Sequence, residues 1–309
     1  MRNSVTSSER CHNGMSRQST VLAFILTLSA LVAFAGNSVL CRLALGARAI
    51  DAYSFTAVRL GSGALALTLL NTLRQPLRGP TNGSWQGAFF LMLYALPFSL
   101  AYVQLDAGTG ALLLFAAVQL TMIVSGLRSG ERLLAVEWLG FLGAIGGIVY
   151  LVFPGLKAPN PIGATMMIAA GISWGGYCII GKTAGDPGSV TAGNFQRAAL
   201  LAVPVAVLGW PWLSLSFRGV LLATASGVLA SGLGYTAWYA ALKYLSVTRA
   251  ALVQLSVPLI AAVGGITFLG ETITIRLISA SVVILGSVVL AISIRHPKPG
   301  AGNRNMIPS

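Results

Sequence analysis

Charge is what this chain has least of, and acid least of all. Its 309 residues include 20 Lys and Arg but only seven Asp and Glu, against a hydrophobic content of 55%. A water-soluble globule carries roughly a quarter of its residues as charges, so a charged fraction of 9% excludes a chain whose main solvent is water. Histidine is nearly missing: His12 and His296 both sit in polar tails, which takes the usual metal ligand and general base out of the apolar segments. The three cysteines, Cys11, Cys41 and Cys178, are odd in number and far apart, so they form neither a disulfide framework nor a metal cluster. No phosphate-binding glycine loop is present, which excludes ATP as a driving force within the chain, and no cofactor or metal is expected. Paired aspartates, a His-Glu-x-x-His and a serine with a histidine are all missing from the apolar runs, so an intramembrane enzyme is not expected. The net charge of +13 would suit nucleic acid, but the basic residues stand singly in short loops and tails without forming a patch, and that partner is excluded too.

What is abundant is apolar sequence in runs of about 20 residues, each long enough to cross about 30 Å of hydrocarbon as a helix. Ten such runs are bounded by charges or turn residues. They are Thr20 to Leu40, Ala52 to Thr72, Trp85 to Gln104, Ala107 to Gly126, Leu133 to Phe153, Ile162 to Gly181, Val190 to Trp210, Gly219 to Leu242, Ala250 to Gly270 and Ile273 to Ile294. The expected fold is therefore an all-α integral membrane protein with ten transmembrane helices. Glycine, with 36 residues or about 12% against an average of about 7%, suits helices that approach closely where lipid supplies no hydrophobic drive. The first run, ending near Ala33-Phe34-Ala35, has the look of a cleaved signal peptide, but the repeat described next keeps it in the fold. Translation starts at Met1 or at Met15, just before that run. Residues 1–19 and 295–309 read as polar tails, the latter disordered.

Sliding the chain by 140 residues lays Ala111-Leu112 on Ala251-Leu252, Gly130-Glu131 on Gly270-Glu271, and Gly146 on Gly286. Gly36 meets Gly176, Arg42 meets Lys182, and Arg59 meets Arg197 after a two-residue adjustment. The halves, 20–153 and 162–294 around a linker at 154–161, thus read as duplicates. Five spans per copy is odd, so the second copy enters the membrane from the opposite face, an inverted repeat. Lys and Arg counted at the span ends put both termini in the cytoplasm of a multi-pass protein of the cell (inner) membrane, with Arg42, Arg48, Lys157, Arg218 and Arg276 outside.

The stretch Gly234-Tyr235-Thr236-Ala237-Trp238-Tyr239-Ala240-Ala241-Leu242, followed by Pro258 and Leu269-Gly270-Glu271, resembles the final helices of the drug/metabolite transporter superfamily, specifically proteins built from two EamA-type halves. Gly130-Glu131, Ser173-Trp174-Gly175 and the Arg59 and Arg197 positions are similar to that pattern as well. Val118 stands where the first half would usually carry the proline seen at Pro258, and Ala35-Gly36 where a Trp-Gly would stand. The resemblance implies a ten-helix secondary transporter of amino acids, nucleotide sugars, drugs or other metabolites, without naming the substrate.

A guanidinium inside a span costs about 2.5 to 3.5 kcal/mol on insertion scales. Arg59 and Arg197 are therefore either snorkelling anchors near helix ends or binders of a substrate carboxylate or phosphate. Asn37, Tyr102, Gln119, Trp174, Tyr177, Asn194, Tyr235, Trp238, Tyr239 and Gln254 are polar or aromatic residues within spans, the kind that line a midplane path or bond between helices. Glu131 and Glu271 lie between consecutive helices, beside the positive N-terminus of the next one; with Pro258 they are structural or gating candidates. Apart from Glu137 near the start of its helix, no carboxylate lies within a span, so no proton relay is visible. The expected function is secondary transport, chiefly export, of small metabolites such as amino acids or amphipathic drugs by alternating access, with lipid and a small-molecule substrate as partners. The alternative is a non-transporting membrane scaffold or receptor.

Overall fold

In the computed structural model of the chain, residues 17–74, 82–130, 134–155, 158–181, 186–242, 244–245 and 253–293 are described. Among them, the architecture is all helical, with one isolated backbone bridge between Ile50 and Leu215. The helices are α1 (Arg17–Leu45), α2 (Ala52–Arg74), α3 (Trp85–Tyr102), α4 (Ala107–Arg128), α5 (Ala135–Val152), α6 (Pro161–Gly181), α7 (Pro187–Leu208), α8 (Phe217–Ala225), α9 (Gly234–Leu242), α10 (Val257–Leu269) and α11 (Ile275–Ser293). A π-helical stretch, Ser226–Leu233, joins α8 to α9 without a break.

Among the described residues, seven segments are long and apolar enough to cross a bilayer: Thr20–Leu45, Ala52–Arg74, Ala107–Arg128, Ala135–Val152, Pro161–Gly181, Gly188–Leu208 and Phe217–Trp238. Val257–Leu269 and Ile275–Ala291 are apolar but shorter. The ten expected runs fall on helices of unequal length, seven of them long and apolar enough to span. Helix α3, with Trp85-Gln86 at its start and Pro97 inside, is not among the seven. Helix α1 runs five residues past the expected Leu40, because Arg42 in its last turn finds carbonyl and carboxylate partners and has no need of the aqueous loop assigned to it.

Helix starts follow their capping residues. Asp51 Oδ1 accepts from the backbone N of Tyr53 and Ser54 at 3.0 and 2.9 Å, while Oδ2 accepts from Ser214 N, tying the start of α2 to the turn before α8. Ser84, Asn160 and Ser216 do the same for α3, α6 and α8, and Glu137 Oε2 accepts from Leu134 N at the start of α5. A strip of large apolar side chains, including Phe24, Leu65, Leu69, Leu139, Leu200, Val207 and Val282, faces outward. Such a surface is consistent with a bilayer around it.

The core lies where α1, α2, α3, α4, α6 and α7 converge. Helix α2 packs on α7 and the π segment, α3 on α6, α4 on α6, α1 on α9 and α10, and α5 on α11. Small residues permit the closest approaches. A Cβ at Gly227 would run into the Ser62 hydroxyl and the Arg59 carbonyl, so only glycine lets the π segment lie this near to α2.

Candidate functional site

A cavity sits at this convergence, lined by Phe34, Asn37 and Ser38 of α1, Arg59 of α2, Tyr94 and Phe98 of α3, Leu114 and Phe115 of α4, Trp174 of α6, Ala230 and Ser231 of the π segment, Tyr235 of α9, and Gln254. Its atom-free space is about 430 Å³, part of it continuous with the outside. The walls are close together, and both halves of the chain contribute to them.

Arg59 is the only charged side chain among the described lining residues and is 2% exposed. Its Nη2 donates to Tyr94 Oη at 2.9 Å, and its guanidinium carbon lies 5.1 and 5.0 Å from the ring centres of Tyr94 and Phe98. Those rings supply a modest cation–π attraction, about 0.5 to 2 kcal/mol. Nε and Nη1 are buried with no hydrogen-bond partner; each such donor costs about 1 to 3 kcal/mol when left unmet. Asn37 supports the arrangement: its Oδ1 accepts from Ser226 Oγ at 2.6 Å, and its amide reaches the Tyr94 hydroxyl. An aromatic stack adjoins Tyr94: Trp174, 4.9 Å from the Tyr94 ring, lies nearly parallel to Tyr177 at 5.3 Å and to Tyr235 at 5.2 Å.

Above the cavity, near the end of α1, three charged residues form a clasp. Arg42 Nη1 donates to the carbonyls of Tyr102 and Val103 at 3.2 and 3.1 Å, Nη2 stands 3.6 Å from Asp106 Oδ1, and Nε stands 3.5 Å from Glu271 Oε1. Both Glu271 oxygens accept from Ala107 N at 3.0 Å, the first backbone donor of α4. The sequence placed this carboxylate at the N-terminus of the helix that follows it. It caps α4 instead, because Asp106 makes no side-chain cap there and Thr274 already caps α11. Burial is the largest influence on Glu271 and raises its carboxyl above the usual glutamate range, with the Ala107 N–H pulling it back and Asp106 pushing it further up.

Of the candidates read from sequence, Asn37, Arg59, Trp174, Tyr235 and Gln254 come together in the cavity. Trp238 packs beside it, edge-on to Phe34 at 5.9 Å. Tyr102 is fully buried near the clasp, its hydroxyl 3.4 Å from Ala107 O. Gln119 lies buried in α4 outside the cavity lining, with Nε2 unpartnered. Tyr177 and Asn194 brace the approach to α3, where Asn194 Oδ1 accepts from Ser84 N at 2.8 Å and Nδ2 donates to Tyr177 Oη at 3.3 Å. Arg197 belongs there too: Nη1 donates to Gly193 O at 3.0 Å, and its guanidinium lies 6.0 Å from the Trp85 ring. It does not line the cavity with Arg59, although the repeat pairs the two. Pro258 is buried in the first turn of α10. Glu131 and the Tyr239 side chain lie outside the described residues. Sequence reasoning missed Tyr94 and Phe98, whose four-residue spacing on one helix face was the available signal, as well as Ser38, Ser231 and the clasp role of Arg42.

Residues 161–293 match the EamA-like transporter family. Over 88% of its length the chain is 50% identical to an uncharacterized protein of Pseudomonas aeruginosa, covering 94% of that protein. The chain belongs to the EamA-like transporter family. It is also 28% identical to the threonine/homoserine exporter RhtA of Escherichia coli strain K12, over 80% of this chain and 84% of that one. An uncharacterized transporter of Archaeoglobus fulgidus is 22% identical over 67% of this chain and 75% of its own. A solved structure superposes with a TM-score of 0.61 at 18% identity, covering 89% of this EamA-like chain and 99% of its own, which establishes the shared fold. The chain is a multi-pass membrane protein of a transporter family, which is consistent with a small-molecule substrate.

Proposed function

We propose that this EamA-like protein is a secondary exporter of small amino-acid-type metabolites, working by alternating access at the Arg59 cavity. The observation that carries the reading is a buried guanidinium with two unmet donors, facing a narrow cavity walled by both halves of the chain. The likeness to the threonine/homoserine exporter supports the substrate class and the outward direction.

In this reading the chain makes ten passages as two inverted five-helix halves, 20–153 and 162–294, with both termini cytoplasmic. Shorter apolar helices serve as passages where neighbours and bilayer adjust to them. Helix pairing supports the symmetry: the 140-residue offset converts the α3–α6 contact into that of the π segment and α9 with α1, and the α4–α6 contact into α10–α1, and all of these contacts occur. The Arg42–Glu271–Asp106 clasp closes the outer end of the path, and Gln254, Trp174 and Tyr235 line it. Tyr177, Asn194 and Arg197 order the opposite end.

The test is efflux and uptake of radiolabelled threonine, homoserine and a wider amino-acid and metabolite panel in proteoliposomes. Saturable flux of a panel amino acid is expected. Absence of flux for every compound, with folded protein, refutes the reading and favours a scaffold or receptor.

A further inference from the structure

The chemistry of the Arg59 cavity narrows what can occupy it, granted that it is the transport site. Tyr94 takes one proton of Nη2. A guanidinium offers two edges for a pair of parallel bonds, one using Nε with Nη2 and the other Nη1 with Nη2. Nε and Nη1 are both unpartnered, so whichever edge the tyrosine hydroxyl occupies, the other stays available as a complete fork. Such a fork matches the two oxygens of a carboxylate.

The rest of the lining selects among anions. Asn37, Ser38, Ser231 and Gln254 are neutral, and no carboxylate occurs among the described lining residues. Among the described residues, one guanidinium therefore faces a cavity with no internal counter-charge. A monoanionic carboxylate balances it, whereas a dianionic phosphate would leave an excess negative charge in a poorly solvated space. The narrow aromatic walls leave room for a small body behind the acid group.

We infer that Arg59 is the carboxylate anchor of the transported compound, gripping its acid group through two parallel N–H···O bonds and restricting substrates to small free carboxylic acids, amino acids included. The tyrosine and phenylalanine beneath the guanidinium hold its plane in place, and the empty edge is the specificity element. A merely structural arginine would have its donors spent on the protein, as those of Arg42 and Arg276 are.

The test uses the full chain in proteoliposomes and in detergent, as wild type, Arg59→Gln and Arg59→Lys. Radiolabelled threonine is the flux probe, with threonine amide and threonine methyl ester, which lack the anion, as competitors. Competition weaker than that of threonine by at least about 100-fold is expected from both. Arg59→Gln should lose threonine flux by at least about 100-fold, and Arg59→Lys, a point charge without a fork, should weaken its apparent affinity by at least about 10-fold. Both variants should stay monodisperse, and Arg59→Gln should melt no lower than wild type without substrate, a readout that a structural role would move downward. Amide or ester competing as well as threonine, or wild-type affinity in either variant, overturns the anchor while leaving transport intact. If the wild type carries no panel compound, the transport reading fails separately, and heat stabilisation by acetate and benzoate decides the anchor: stabilisation of wild type but of neither variant sustains it, and any other pattern overturns it.

Discussion

Replacing Glu271 by alanine should open the clasp, and Cys41 can report it. The Cys41 thiol is fully buried, adjoins Arg42 along α1 and is hydrogen-bonded to Ser226, so a thiol reagent must pass the clasp or disrupt the cavity wall to reach it. Among the described residues, Ala107 N has no acceptor other than the Glu271 carboxylate, and its loss orphans that donor at a cost of about 1 to 3 kcal/mol. At 1.36 kcal/mol per decade, the open population rises by a factor of about 5 to 160. Where opening is fast relative to modification, labelling follows that population. The assay is the labelling rate of Cys41 at neutral pH in a protein carrying Cys11→Ser and Cys178→Ser. Glu271→Gln keeps the acceptor and sheds the burden of a buried charge, so it should label no faster than wild type. Unchanged labelling in Glu271→Ala, or an equal rise in both variants, would refute the assignment of the clasp to that hydrogen bond.

The raised carboxyl of Glu271 gives the clasp a pH dependence of defined sign. Because the clasped form holds the proton more firmly than a hydrated carboxyl would, the clasp is fully favoured below the ordinary glutamate range and loses that advantage as pH rises through the raised value. The ratio of wild-type to Glu271→Gln labelling, which cancels the thiol's own titration, should therefore climb with pH; a flat ratio would contradict it. Gly227→Ala should push the π segment away from α2, because its methyl meets backbone as well as a hydroxyl, lowering the melting temperature by the equivalent of about 1 to 3 kcal/mol and reducing flux. Ser84→Ala should cost about 1 kcal/mol at the start of α3 and leave substrate affinity alone, since Ser84 lies outside the cavity; circular dichroism melts with parallel flux measurements check it.

Helices were legible because bilayer thickness writes itself into run length, and the charges bounding each run mark its ends. Arg59 was legible for the same reason, a charge within an apolar run. Arg197 carried an equal signal and landed elsewhere, because what separates the two is their tertiary surroundings: Tyr94 and two unmet donors around one, a carbonyl and Trp85 near the other. Tyr94 and Phe98 escaped notice since an aromatic in an apolar helix looks the same whether it faces lipid, core or cavity. Glu271 was placed correctly at a helix N-terminus but on the wrong helix, for the donor it satisfies lies 164 residues away in sequence.

The π-helical wall has a mechanical meaning. Five residues per hydrogen-bonded ring, in place of four, store one residue of slack between Phe217–Ala225 and Gly234–Leu242. Were that slack taken up by α geometry, everything beyond it would screw about its own axis by roughly 100° and advance by about 1.5 Å. Tyr235 would swing off the chamber it now faces, with no helix tilting and no loop unfolding. The wall holds a ratchet tooth, already cut.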